Sequence, residues 1–261
     1  DQVVFLPGPS WSPLLLALAV IGVALCFLAS FYLGAIAFAV LALALGLRWL
    51  WDTGLRQDPE PIAIGEGMEL PSSRVSQQSV GWWGMVFTLV FDAAFFASLL
   101  FGYLFLWTIA PNWPPPSFLD PDPLLAAVTL VALAAGLIGG MRAAAANRRE
   151  RSAARQLSLI VAATGHLVAM AGFVAVPVLL APPATEHAYA ASVVMLSAYG
   201  ALHTGLSGVG ALFVLSRCRS GFVSPRRNVD IRNLAAFSTY AGVTGAVVVG
   251  AIYLMPLVGA A

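Results

Sequence analysis

Apolar residues fall in long unbroken runs, and the polar residues gather between them. Seven runs stand out, at about Trp11–Ser30, Leu33–Trp51, Val80–Trp107, Pro123–Met141, Ala154–Leu180, Tyr189–Leu215 and Leu234–Val258. A run of about 18 or more apolar residues is long enough to cross the hydrocarbon layer as a helix. The pattern predicts an all-α membrane protein with seven transmembrane helices. A very short turn at Phe31 joins the first two runs, so residues 1–51 are expected to form an antiparallel hairpin. The polar stretch 52–79, with Asp52, Asp58, Glu60, Glu66, Glu69, Arg56 and Arg74, is expected to be a cytoplasmic loop. It separates the hairpin from a five-helix bundle over 80–261. The segments Ala110–Pro123 and Ala181–His187 are too rich in proline for helix and are expected to be surface loops.

Composition agrees with the pattern: 60% of residues are hydrophobic, 10% are charged and the mean hydropathy is +0.87. Soluble domains carry about 25% charged residues. All the basic residues are arginine, and they alternate from one loop to the next. They follow runs two, four and six: Arg48, Arg56 and Arg74; Arg142, Arg148, Arg149, Arg151 and Arg155; Arg217, Arg219, Arg226, Arg227 and Arg232. The intervening loops have none. Basic loops mark the cytoplasmic side, so the N-terminus is expected inside and the C-terminus outside a plasma membrane of bacterial type. Trp11, Trp49, Trp51, Trp82 and Trp83 at inner ends, and Trp107 and Trp113 at an outer end, are placed as an aromatic belt. A net charge of +1 argues against nucleic acid as a partner. Cys26 and Cys218 fall at opposite depths and are not expected to pair. Two cysteines and three scattered histidines give no metal-spacing motif.

The third run carries one acid, Asp92, near its centre. An ionisable group at that depth costs about 2.5–3.5 kcal/mol on insertion scales, so it faces protein, water or a bound polar group. Met85, Thr88, Phe95, Phe96, Leu99 and Tyr103 lie at helical spacings from it, and Ala93, Ala94, Ala97 and Ser98 supply small positions for close helix contact. Asp92 reads as a structural acid bonded to a neighbouring helix, as a proton-transfer group, or as a contact for lipid or a partner. In the sixth run Ser192, Tyr199, His203 and Ser207 form a polar stripe, with Gly200, Gly205 and Gly208 allowing close packing. His203 and His166 both lie at mid-depth, which raises a di-histidine haem b electron carrier as an alternative. A small transporter or proton channel using Asp92 is another, weakened by the lack of inverted repeats and interrupted helices. His187 is expected in a solvated outer loop. No catalytic nucleophile–base pair or phosphate loop is present, so no catalytic residue is assigned.

These residues resemble subunit III of haem–copper cytochrome c oxidases over nearly the whole chain. Pro9-Ser10-Trp11-Ser12-Pro13 is similar to that family's lead into its first helix, and Trp49-Leu50-Trp51-Asp52 to its Trp-rich helix end. The third run matches best, with Gly84-Met85, an acid seven residues after the methionine (Asp92, where the family usually has Glu), then Phe95 and Phe96. Trp113-Pro114-Pro115 resembles the outer loop of the family. In the sixth run Tyr189, Tyr199, Leu202, His203 and the spacing to Arg217 match, while Gly200 replaces a histidine. Gly172-Phe173-Val174-Ala175 and Ala236-Phe237-Ser238-Thr239-Tyr240 depart from the family pattern.

The resemblance implies an accessory, non-catalytic subunit of a proton-pumping terminal oxidase in aerobic respiration. Its partners would be subunits I and II, which hold the haems and copper, and cytochrome c or quinol would donate electrons to the complex. This chain would bind no metal. Phospholipids would fill a V-shaped cleft between hairpin and bundle, with Arg217, Trp51 and Trp83 as lipid contacts and Asp92 and His203 as buried polar groups. The start at Asp1 and the segment Leu6-Pro7-Gly8-Pro9-Ser10 are similar to the junction in fused subunit I–III polypeptides, and a fusion tail is expected on that ground.

Overall fold

A computed structural model describes residues 10–54, 56, 60, 62–65, 67–70, 79–110, 113–115, 122–179 and 183–258. Leu6 to Pro9, Asp58, Glu66, Arg74, Leu180, Ala181, Pro182 and most of the segment 111–121 lie outside the described residues. The elements run α1 (Ser12–Leu28), α2 (Tyr32–Asp52), β1 (Ile62–Gly65), β2 (Met68–Leu70), α3 (Val80–Ile109), α4 (Pro123–Arg148), α5 (Ser152–Leu179), α6 (Ala188–Arg219), α7 (Val229–Tyr253) and the single turn α8 (Met255–Val258).

Among the described residues six helices, α2 to α7 with α8 continuing the last, are long and apolar enough to cross a membrane, the architecture of a multi-pass helical membrane protein. α1 has 17 residues, and at 1.5 Å per residue it is about 26 Å long, against a hydrocarbon layer of about 30 Å. Helix starts follow local chemistry. Ser79 Oγ accepts the Trp82 N–H and Asp122 Oδ1 accepts the Leu124 N–H, which occupies one unpaired first-turn donor in each helix. Proline stands at the first turn of α1 and α4, where no donor is lost.

The chain divides into two compact units. The first comprises Asp1–Val75 with Arg219–Phe222. Within it α1 and α2 form the hairpin: Ser30 turns the chain at φ 55°, and Phe31 N–H donates to Cys26 C=O. Gly22 lies under the Phe38 ring, where no side chain would fit. Sequence pattern alone treated 52–79 as loop, but β1 and β2 pair antiparallel there through a turn with Gly65 and Gly67 at positive φ.

The second unit comprises Ser76–Cys218 with Val223–Ala261. Its centre is the α4–α5 pair, which touches backbone to backbone. A Cβ on Gly165 would lie 2.5 Å from Gly136 N, and one on Gly139 2.6 Å from Ala162 N. α7 lays Gly242 and Gly245 against Leu137 and Leu133 of α4, and α6 lays Gly200 and Gly208 against Phe173 and Leu167 of α5. In their most apolar stretches α5 and α6 are 50% and 56% buried and α3 only 11%, so α3 is the edge of the unit. Its inward stripe is Asp92, Phe96 and Tyr103. Ala93, Ala94, Ala97 and Ser98 are exposed, so the expected close contact does not form among the described residues of this unit.

Candidate functional site

The inward stripe of α3 meets α6 and α7 at a cluster of hydrogen-bonding side chains. Asp92 Oδ2 accepts Tyr199 Oη at 2.6 Å and lies 2.9 Å from His203 Nε2. Tyr199 and His203 stand one turn apart on α6, so both reach the same carboxylate. Tyr240 Oη of α7 lies 2.8 Å from Tyr199 Oη. Aromatic rings close the site: Phe96 stacks on Tyr199 at 5.0 Å, Tyr199 on His203 at 4.0 Å, and Phe237 sits 5.9 Å from His203.

The geometry fixes where the protons are. A carbonyl only accepts, so His203 Nδ1, 2.8 Å from Tyr199 C=O, carries a proton. The Nε2–Oδ2 contact then needs a second proton between imidazole and carboxylate. Asp92 and His203 together therefore hold one proton more than a free carboxylate and a neutral imidazole, either as an ion pair or as two neutral groups. Tyr199 gives its hydroxyl proton to Asp92, so Tyr240 donates to Tyr199. The row Tyr240→Tyr199→Asp92 joins three helices. A cavity of about 440 Å³ flanks it, bounded by Thr88, Leu89, Leu99, Met195 and Leu206 as well as by Asp92 and His203. Its lining is mostly apolar, so the carboxylate and the imidazole are its chemically active wall. The arrangement can hold and pass a proton and can fix three helices in register.

The other candidates are placed as follows. His166 is fully buried against Gly136 of α4. Both ring nitrogens of His203 are engaged, which leaves none to ligate iron, so the geometry does not favour a haem shared by His166 and His203. Among the described residues no group of three or more His, Cys, Asp or Glu gathers as a metal site. Arg217, which the resemblance implies as a lipid contact, is bonded within the bundle. It is 5% exposed, its Nε donates to Asp230 Oδ2 at 2.7 Å, and its guanidinium lies over Phe213. Trp83 is half exposed with its ring near Phe87, and Trp51 is half-buried with its ring 5.3 Å from Phe222. His187 is half-buried rather than solvated: its Nδ1 accepts the Tyr189 N–H, and its ring neighbours Trp113. Cys26 and Cys218 are both free thiols.

Two features escaped sequence reasoning. Tyr240 carried a legible signal, a hydroxyl at mid-depth of an apolar helix, but nothing local told which way it faced. The second is a knot at the arginine-rich end: Arg155 Nη1 donates to Asn147 Oδ1, and Asn147 Nδ2 donates to Ser224 C=O, which ties α4, α5 and the α6–α7 loop. No protein-family model matches this chain, and no curated protein matches it.

Proposed function

We propose that the chain is an accessory, non-redox subunit of a proton-pumping haem–copper terminal oxidase, of the subunit III type. One observation carries the reading. Asp92 of the Gly84-Met85…Phe95-Phe96 pattern and His203 of the Tyr199…Leu202-His203 pattern lie on separate runs, and they meet at 2.9 Å. Such a pair organises a bundle without itself exchanging electrons. In this reading all seven apolar runs cross a bacterial plasma membrane, with the N-terminus cytoplasmic. The chain binds structural phospholipids and supports assembly and proton uptake of subunit I. Subunits I and II bring the haems and copper, and cytochrome c or quinol is the donor to the complex.

The test is extraction of the full chain from its native membrane in mild detergent. A haem–copper subunit I co-purifies with it; its absence from every preparation overturns the reading. In that complex Asp92→Asn leaves the haem content unchanged and shortens sustained turnover. Loss of haem from the complex counts against it.

The row Tyr240→Tyr199→Asp92 beside a cavity favours one second reading, a small proton-conducting membrane protein centred on Asp92. Purified alone in liposomes, such a protein passes protons under a pH gradient and loses this with Asp92→Asn. An accessory subunit passes none.

A further inference from the structure

The turn between α4 and α5 carries a feature that the Asp92 site does not use. Arg142, Arg149 and Arg151 line one cavity of about 180 Å³, with Ser158 and alanines completing its wall. Among the described residues none of the three guanidinium groups has an ion pair or a side-chain hydrogen bond. Other arginines of this unit are engaged: Arg155 with Asn147, Arg217 with Asp230, Arg232 over the Trp82 ring. The acid of the turn, Glu150, is exposed and does not line the cavity.

Three like charges around one hollow repel one another, and no carboxylate in the lining offsets them. A tetrahedral oxyanion does so, and guanidinium forks match its oxygens two at a time. The first turn of α5 begins directly after Arg151, and its N–H groups have no intrahelical acceptor, which adds donors of the same sign. The fold holds the cavity open from beneath. Arg151 N–H donates to Ala146 C=O across the turn, and the backbone contact of Gly139 with Ala162 fixes the two helices one turn deeper.

We propose that this cavity binds a phosphate ester. Its depth favours a lipid headgroup. α4 and α5 have 26 and 28 residues, about 39 and 42 Å, so both project beyond a hydrocarbon layer of about 30 Å. The cavity lies within the last two turns of one and the first two of the other.

The experiment uses the full chain extracted in mild detergent and stripped of lipid, with phosphatidylglycerol titrated and read by native mass spectrometry. The triple variant R142Q/R149Q/R151Q binds it about a hundredfold more weakly than the natural chain. Arg148→Gln, beside the cavity but not lining it, binds as the natural chain does. A second arm adds inorganic phosphate. Displacement of the lipid by phosphate assigns the site to a soluble phosphate compound, and retention of the lipid assigns it to the headgroup. A folded triple variant that binds phosphatidylglycerol and phosphate as tightly as the natural chain overturns the proposal. Should the triple variant not fold, Arg142→Gln and Arg151→Gln singly each weaken binding about fivefold, and unchanged binding in both overturns it.

Discussion

Asp92 contacts two side chains of α6 and, through Tyr199, is linked to α7, so its removal affects more than one polar group. Asp92→Ala leaves His203 Nε2 unpaired in an apolar surround and Tyr199 Oη with Tyr240 as its remaining partner, at a cost of about 1–2 kcal/mol. Asp92→Asn costs less, because an amide oxygen in the place of Oδ2 still accepts from Tyr199. Unfolding in mixed detergent micelles measures both, and equal stability of Asp92→Ala and the natural chain would discredit the cluster as an anchor. Arg217→Gln breaks the bond to Asp230 and lowers stability by about 1–3 kcal/mol, while the phospholipid co-purifying with the chain stays the same. That a mid-membrane acid must have partners was legible in the sequence from cost alone. Which partners was not, because the facing direction of a helix depends on its neighbours. Arg217 shows a related limit. Its acid, Asp230, lies beyond the loop on α7, and charge position along the chain says nothing about which side chains fold back on each other.

Helix α3 and the α4–α5 pair use glycine for opposite ends. Gly165 faces backbone, where an added Cβ finds no flexible neighbour to displace, and Gly102 has nothing within 4 Å. Gly165→Ala therefore destabilises by about 1–3 kcal/mol through overpacking. Gly102→Ala is neutral or stabilises by up to about 1 kcal/mol through helix propensity. Thermal melting of the two variants in one detergent distinguishes them, and similar losses in both would contradict the packing described. Helix existence was legible from run length, and starts were legible at Ser79 and Asp122. The β1–β2 hairpin was also signalled, by Ile62-Ala63-Ile64 and Met68-Glu69-Leu70 on either side of Gly65 and Gly67. The charged residues around it mask that signal in the stretch as a whole. The small residues of α3 were over-read: small size permits close approach and does not by itself bring a neighbour.

At the scale of the molecule, the alternation of arginine-rich and arginine-free loops makes a claim that labelling can check. α5 carries the chain from the turn at Arg149 to the turn at Glu186, so these sites fall on opposite faces of the membrane. With Cys26 and Cys218 replaced by serine, Arg149→Cys and Glu186→Cys react with a membrane-impermeant maleimide from opposite sides of sealed vesicles. Reaction of both from one side would remove α5 from the set of spans. The expected topology rests on bilayer thickness and charge, both read without knowing any contact. Helix order around the bundle was not legible in this way, since within lipid it depends on close packing of small residues rather than on which face is apolar.

The row of hydroxyls from Tyr240 to Asp92 also has a sense. Each O–H points the same way, toward the carboxylate, like beads threaded in one orientation. A proton handed along such a row leaves every bond reversed behind it, and a second cannot follow until each phenol has swung back. Phe96 and His203 hold the Tyr199 ring in place, so its hydroxyl resets by turning about its own C–O bond. The row thus has one setting per proton, and a second transfer waits on the return of both phenols.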